Sequence, residues 1–244
     1  MKRKSGWLFI AVIGLAAACN EDEASNSISS DEAAAIVAVS LSSNGVNSIS
    51  STSAQYASDA LDGDVGGRVA TCGFTEALEY STESDEGAVN AFSFDFDYAF
   101  ELKCEGDEPS ALGVGLNYTG DFTSFNHSFD CSGLATLQLD GLHSEAAAFE
   151  MNGEYKYNGT FVDKQKNQSV SSNIVMTLTD IAISKSLYQI TTGKGSYSIS
   201  GTVPSKGSFK YSGEIVFLGA GQAEVSVNGV VYVADMNIGT ATKK

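Results

Sequence analysis

The chain is 244 residues long and carries 14 Lys plus Arg against 30 Asp plus Glu, a formal net charge of −16. Such a balance repels nucleic acid and anionic head groups and excludes a nucleic-acid-binding role. Thirteen Phe and ten Tyr can supply a real core, and with only two Pro no Pro-rich linker divides the chain.

The first residues read as an export signal. Lys2-Arg3-Lys4 precede an apolar run over 7–18, about a dozen residues, too short for the roughly 18 or more of a spanning helix. Ala16-Ala17-Ala18-Cys19 resembles a lipobox, with Leu15 one position earlier than the usual Leu. The resemblance implies cleavage before Cys19 and diacylglycerol on its thiol. Removing 1–18 takes away Lys2, Arg3 and Lys4 and leaves the mature chain at −19. Asn20-Glu21-Asp22-Glu23 resembles the acidic surface-export signal of Bacteroidota lipoproteins, and 19–28 reads as lipidated Cys plus flexible tether. The localisation expected is the outer membrane with exposure at the cell surface, a periplasm-facing anchor being the alternative.

A helical segment is expected over 29–70. Ser29 and Glu32 form a capping box ahead of the Ala-rich run 33–42, and Asn44-Gly45 supplies a stop. Val46, Ile49, Ser53, Tyr56 and Ala60 repeat at 3–4 spacing, a second and weaker helix. Asp62-Gly63-Asp64 then breaks the pattern. These Ser-rich helices need the remainder of the protein to be stable.

From Phe92 the period becomes two. Phe92, Phe94, Phe96, Tyr98, Phe100, Leu102 and Cys104 form an apolar face, opposed by Ser93, Asp95, Asp97, Ala99, Glu101 and Lys103. Further strands are expected at 112–118, 125–131, 135–139, 149–161, 174–183, 197–203, 209–217 and 225–233. Within them a pattern recurs: apolar, Asn/Ser/Thr, Gly, any residue, apolar. It appears as Tyr118-Thr-Gly-Asp-Phe122, Met151-Asn-Gly-Glu-Tyr155, Tyr157-Asn-Gly-Thr-Phe161, Ile199-Ser-Gly-Thr-Val203, Tyr211-Ser-Gly-Glu-Ile215 and Val227-Asn-Gly-Val-Val231. Asn-Gly usually marks a hairpin. Turns at both Gly153 and Gly159 would leave strands of about four residues, so these glycines are expected inside long strands, as kinks or crossings for large neighbours. Segments Asn173-Ile-Val-Met-Thr-Leu-Thr-Asp-Ile181, Tyr197-Ser-Ile-Ser-Gly-Thr202 and Phe209-Lys-Tyr-Ser-Gly-Glu-Ile-Val-Phe217 resemble a group of uncharacterised Bacteroidota lipoproteins. The resemblance implies compartment and fold class and carries no site residues.

Three cysteines remain beside Cys19. Cys72–Cys104 is the expected disulfide, stapling the segment before the first strand to the sheet and leaving Cys131 free; Cys104–Cys131 is the competing pair. Their spacing does not suit a metal site. His127 falls in the inward phase between Phe125 and Phe129, as a core or pocket residue, and His143 in a turn. Neither belongs to a catalytic motif. Asp95, Asp97 and Glu101 share a face expected to be solvated, and Asp62/Asp64 and Glu83/Asp85/Glu86 are solvated loops rather than Ca²⁺ sites.

The expected fold is mainly β: a curved antiparallel meander of about eight to ten strands over 71–244, barrel-like or half-barrel-like, with the 29–61 helices as a lid; a β-sandwich is the alternative. No cofactor and no enzymatic activity are expected. Two roles fit: a non-catalytic surface lipoprotein contacting protein or glycan, or a carrier of a small apolar ligand or lipid between the aromatic face and the helices.

Overall fold

The computed structural model describes residues 27–42, 45–61, 71–88, 91–125, 127–143, 145–165, 167–204 and 206–244, with only the backbone of His127 and Asp163. The signal segment 1–18, Cys19, most of the tether and the Asp62/Asp64 cluster lie outside the described residues.

Two helices, α1 (Ser30–Leu41) and α2 (Val46–Leu61), precede eleven strands. These are β1 (Thr75–Glu83), β2 (Ala91–Glu105), β3 (Glu108–Thr123), β4 (His127–Asp140), β5 (Ala148–Asp163) and β6 (Gln168–Ser184). β7 (Ile190–Val203), β8 (Gly207–Gly219), β9 (Gln222–Val227), β10 (Val230–Asp235) and β11 (Thr240–Lys243) follow. Each strand pairs antiparallel with the next, in one sheet ordered β1 to β11 that does not close, rather than the two sheets of a sandwich.

The capping box forms: Glu32 N–H donates to Ser29 Oγ at 3.2 Å and Ser29 N–H to Glu32 Oε2 at 2.8 Å. Gly45 turns the chain between the helices, where a Cβ would stand 2.0 Å from the Ser40 carbonyl oxygen. The fold starts earlier than the tether boundary at 28 suggests. Ile28 is buried, its carbonyl accepts from Tyr211 Oη at 2.6 Å, and Ser27 N–H donates to the Ser208 carbonyl.

Curvature follows from what α1 touches. Its buried face (Ala33, Ala34, Val37, Ala38, Leu41) packs against β9, β10 and β11, while its other side faces β3 to β6. Across a flat sheet β4 and β9 would lie roughly 24 Å apart, about twice a helix diameter. The sheet therefore curls around the helices. Bulges at Lys103/Cys104, Met151/Gly153, Thr179/Ala182 and Phe217/Gly219 all fall toward the end of the strands where β2, β4, β6 and β8 turn, and bulges sharpen the local bend. There α2 crosses the concave face, touching β3 through β7. Its small residues Ser50, Ser53, Ala54 and Ala57 are fully buried, Ser50 Oγ meets Met151 Sδ at 3.7 Å, and Tyr56 stacks on Phe100 with centroids 3.7 Å apart.

Four of the in-strand glycines have a common cause. A Cβ on Gly120 would lie 2.1 Å from the Phe94 ring, on Gly133 1.9 Å from Tyr118, on Gly159 2.3 Å from the Tyr157 hydroxyl and on Gly201 2.4 Å from Phe209. Each of these four glycines seats an aromatic ring, Gly201 lying also against the Ser171 carbonyl oxygen, whereas Gly193 and Gly195 meet no ring. Gly153 instead sits at the β5 bulge.

Some expected strands differ. The 125–131 and 135–139 segments are one strand, β4, because Gly133 lies beneath the Tyr118 ring instead of turning the chain; Phe125 lies outside it. The expected single strand 225–233 is a hairpin. Asn228 and Gly229 have φ of 48° and 76°, the left-handed pair of a type I′ turn, so this Asn-Gly does mark a turn. Strands β1 and β11 complete the two edges. β1 is largely exposed and lacks the alternating apolar signal that flags a half-buried strand.

Candidate functional site

Helix α2 covers only one half of the concave face. The half nearer the turns after β3, β5 and β7 is left to α1, and there the core is not filled. A cleft of about 510 Å³ opens between α1 and strands β3 to β6. On the helix side Glu32, Ala35, Ile36 and Val39 form a stripe at 3–4 spacing, opposite the stripe that packs on β9–β11. Val39 is 47 % exposed although apolar. The sheet contributes Phe122 from β3, Phe129 from β4, Tyr157, Gly159 and Phe161 from β5, and Val170 and Ser172 from β6.

Sequence periodicity puts these aromatics on the inward face, and strand register gathers them. Phe122 pairs with Phe129, and Phe129 with Phe161. The Phe122 and Phe129 rings stack at 5.2 Å, and Phe129 touches Phe94 at 6.3 Å. Phe94 belongs to a row of rings along β2, running from Phe92 through Phe96 and Tyr98 to Phe100 with spacings of 5.4 to 6.4 Å. Gly159 seats the Tyr157 ring, which lies over it on the cleft floor.

In the buried core Tyr118 and Tyr155 share a 2.5 Å hydroxyl–hydroxyl bond. Burial pushes both phenols, and that of Tyr157, well above the ordinary tyrosine range. Cys131 is half-buried beside them, and burial, with lesser help from Asp130 and Asp121, raises its thiol to about 11. All four are protonated at neutral pH, and of them only Tyr157 lines the cleft. The cleft's one carboxylate, Glu32, is engaged in the capping box.

The other expected positions do not converge on this cleft. Cys72 and Cys104 form a disulfide with Cα atoms 5.6 Å apart, tying the segment before β1 to the end of β2, and Cys131 is free. His127 opens β4 and His143 follows its end, roughly 40 Å apart along an extended strand. Only the backbone of His127 is described; the His143 carbonyl accepts from Lys185 Nζ at 2.9 Å. Asp95, Asp97 and Glu101 are exposed on the outer face, Asp95 accepting from Ser81 Oγ at 2.6 Å. Glu83, Asp85 and Glu86 lie around the β1–β2 turn, and among the described residues no group of three or more His, Cys, Asp or Glu is gathered as a metal site would need. A second, open depression of about 500 Å³ lies largely on the outer face, over Ala77, Ala99, Gly113 and Gly115, with Glu101, Lys103 and Thr136 around it.

The carrier reading of the sequence placed a ligand between the aromatic face and the helices without naming residues; Ala35, Ile36 and Val39 are the α1 positions that border the cleft. The signal was apolar residues on nearly every side of α1, more than one packing face requires. No protein-family model, no curated protein and no solved structure matches the chain.

Proposed function

We propose that the protein is a non-catalytic lipoprotein, anchored through Cys19 and displayed on the outer membrane, that binds a small apolar ligand or lipid in the cleft between α1 and β3–β6. The observation that carries this reading is an unfilled apolar cleft beside a core packed elsewhere with fully buried side chains. Its volume lies within the range of small-molecule sites, roughly 300 to 1,000 Å³. The lining offers apolar surface and neutral hydroxyls, which suit a hydrocarbon chain better than a charged substrate. The lipobox-like Ala16-Ala17-Ala18-Cys19, the acidic residues after it and the resemblance to Bacteroidota lipoproteins support the compartment.

Native mass spectrometry of the mature chain from its own envelope tests the binding. The expected result is an added apolar mass that leaves on denaturation and is absent from Ile36→Glu, which places a carboxylate in the cleft wall. Equal added mass on I36E, or none on the wild type, overturns the reading. The outer-face depression favours a second reading, contact with a surface protein or glycan at Ala77, Ala99, Gly113 and Gly115.

A further inference from the structure

In an antiparallel meander alternate turns lie at one end of the sheet. The turns after β1, β3, β5, β7 and β9 therefore share a rim, and the cleft is built from strand residues close to it: Phe122, Phe129, Phe161, Gln168 and Val170. The described chain also begins there, since Ser27 N–H bonds to Ser208 at the start of β8. Residues 20–26 separate Ser27 from Cys19, and seven residues span at most about 25 Å. A lipid on Cys19 therefore holds this rim, not the opposite one, within reach of the bilayer.

The rim is built for that neighbour. Phe125, in the β3–β4 turn beside the cleft, is 86 % exposed, and Phe161 is 43 % exposed. Lys164 Nζ donates to the Ser124 carbonyl at 2.8 Å, tying the β5–β6 turn to the one that carries Phe125. Lys206 lies in the β7–β8 turn and Lys210 follows in β8, on a rim that also carries Asp163 and, just below the β3–β4 turn, the cross-strand neighbours Asp121 and Asp130. The acidic β1–β2 turn is on the same rim, two strands or roughly 10 Å along the sheet from the turn that carries Phe125. The opposite rim carries Glu105, Asp107 and Glu108 in one turn, Lys185 in another and Asp235 by a third.

We infer that the cleft rim is a bilayer-docking surface, with Phe125 entering the acyl region, and that the ligand is an acyl chain drawn from the membrane that bears the anchor. The inference rests on the lipidation of Cys19 and on the apolar-ligand reading. Docking of the mouth against the bilayer lets a chain pass from lipid to cleft without crossing water.

The only tryptophan, Trp7, lies in the signal segment, so Phe125→Trp places a single reporter in the mature chain. The full mature protein is reconstituted in phosphatidylethanolamine/phosphatidylglycerol vesicles containing brominated acyl chains. Leu187→Trp, at the opposite rim and also exposed, is the control. F125W is expected to shift to the blue and lose most of its emission to the bromines while L187W keeps its own. Equal quenching at both positions, or none at F125W, overturns docking, the latter pointing to a protein partner for this rim. The intact mass of the same sample reports acylation of Cys19. An unacylated chain defeats the anchor reading and the inference with it, whereas an acylated chain with silent F125W defeats the inference alone.

Discussion

Replacing Gly133 with Ala tests whether Gly120, Gly133, Gly159 and Gly201 are ring seats. The added Cβ would stand 1.9 Å from Tyr118 Cε1, so the ring must move by about 1.5 Å to reach ordinary contact at 3.4 Å. It cannot do so freely. Tyr118 is buried, stacks on Phe96 at 5.8 Å and shares its hydroxyl bond with Tyr155. Overpacking of this kind costs about 1–3 kcal/mol, and losing the buried hydrogen bond about 1 kcal/mol more. The stiffer unfolded chain returns only about 0.4–1 kcal/mol. The net loss is about 2–3 kcal/mol, or a fall in Tm of roughly 5–10 °C for a chain of this size. Gly115→Ala on the neighbouring strand is the control. Its Cβ would meet the Ala99 Cβ at a comfortable 3.6 Å, so only the unfolded-state term remains and Tm should rise by roughly 1–3 °C. Thermal melts followed by circular dichroism give both signs, and Tyr118→Leu supplies the background in which G133A should cost less than about 1 kcal/mol. A neutral G133A, or one equally costly with and without Tyr118, would refute the seat.

Two further outcomes follow from covalent and titratable groups. Cys72→Ser with Cys104→Ser opens a link across a sequence separation of 32, for which chain entropy gives a loss of about 3–4 kcal/mol, read as a lower urea midpoint with a steeper slope from the more expanded unfolded chain; an unchanged midpoint would show that the staple restrains nothing. Alkali should unfold the protein, because the unfolded chain ionises its thiol and phenols near their ordinary values while Cys131 holds its proton to about 11 and the buried Tyr118, Tyr155, Tyr157 and Tyr197 hold theirs higher still. The folded state then binds more protons, so stability is intact at neutral pH and falls as pH rises through the unfolded values near 9 to 10. Tyrosinate absorbance should appear together with loss of circular dichroism; smooth titration of these four in a folded protein would contradict their burial.

Much of this architecture is written locally. The switch from 3–4 spacing to strict alternation at Phe92 reflects which side chains must face one core, and Ser29 with Glu32 closes its capping box without help from elsewhere. Strand pairing in a meander is the product of adjacent segments, so the order β1 to β11 follows once the strands exist. The meaning of a glycine does not follow in this way. Met151-Asn-Gly-Glu and Val227-Asn-Gly-Val look alike, yet Gly153 lies at a strand bulge and Gly229 turns a hairpin. Gly133, which resembles a turn between two short strands, runs straight because a ring from β3 needs its space. The cleft is equally non-local. Ile36 and Val39 carry the chemistry of core residues, and they border open space only because α2 is seated at the far half of the sheet by Ser50 on Met151 and Tyr56 on Phe100. Those contacts join residues about a hundred and about forty positions apart, a pairing that hydrophobic periodicity within a segment does not encode.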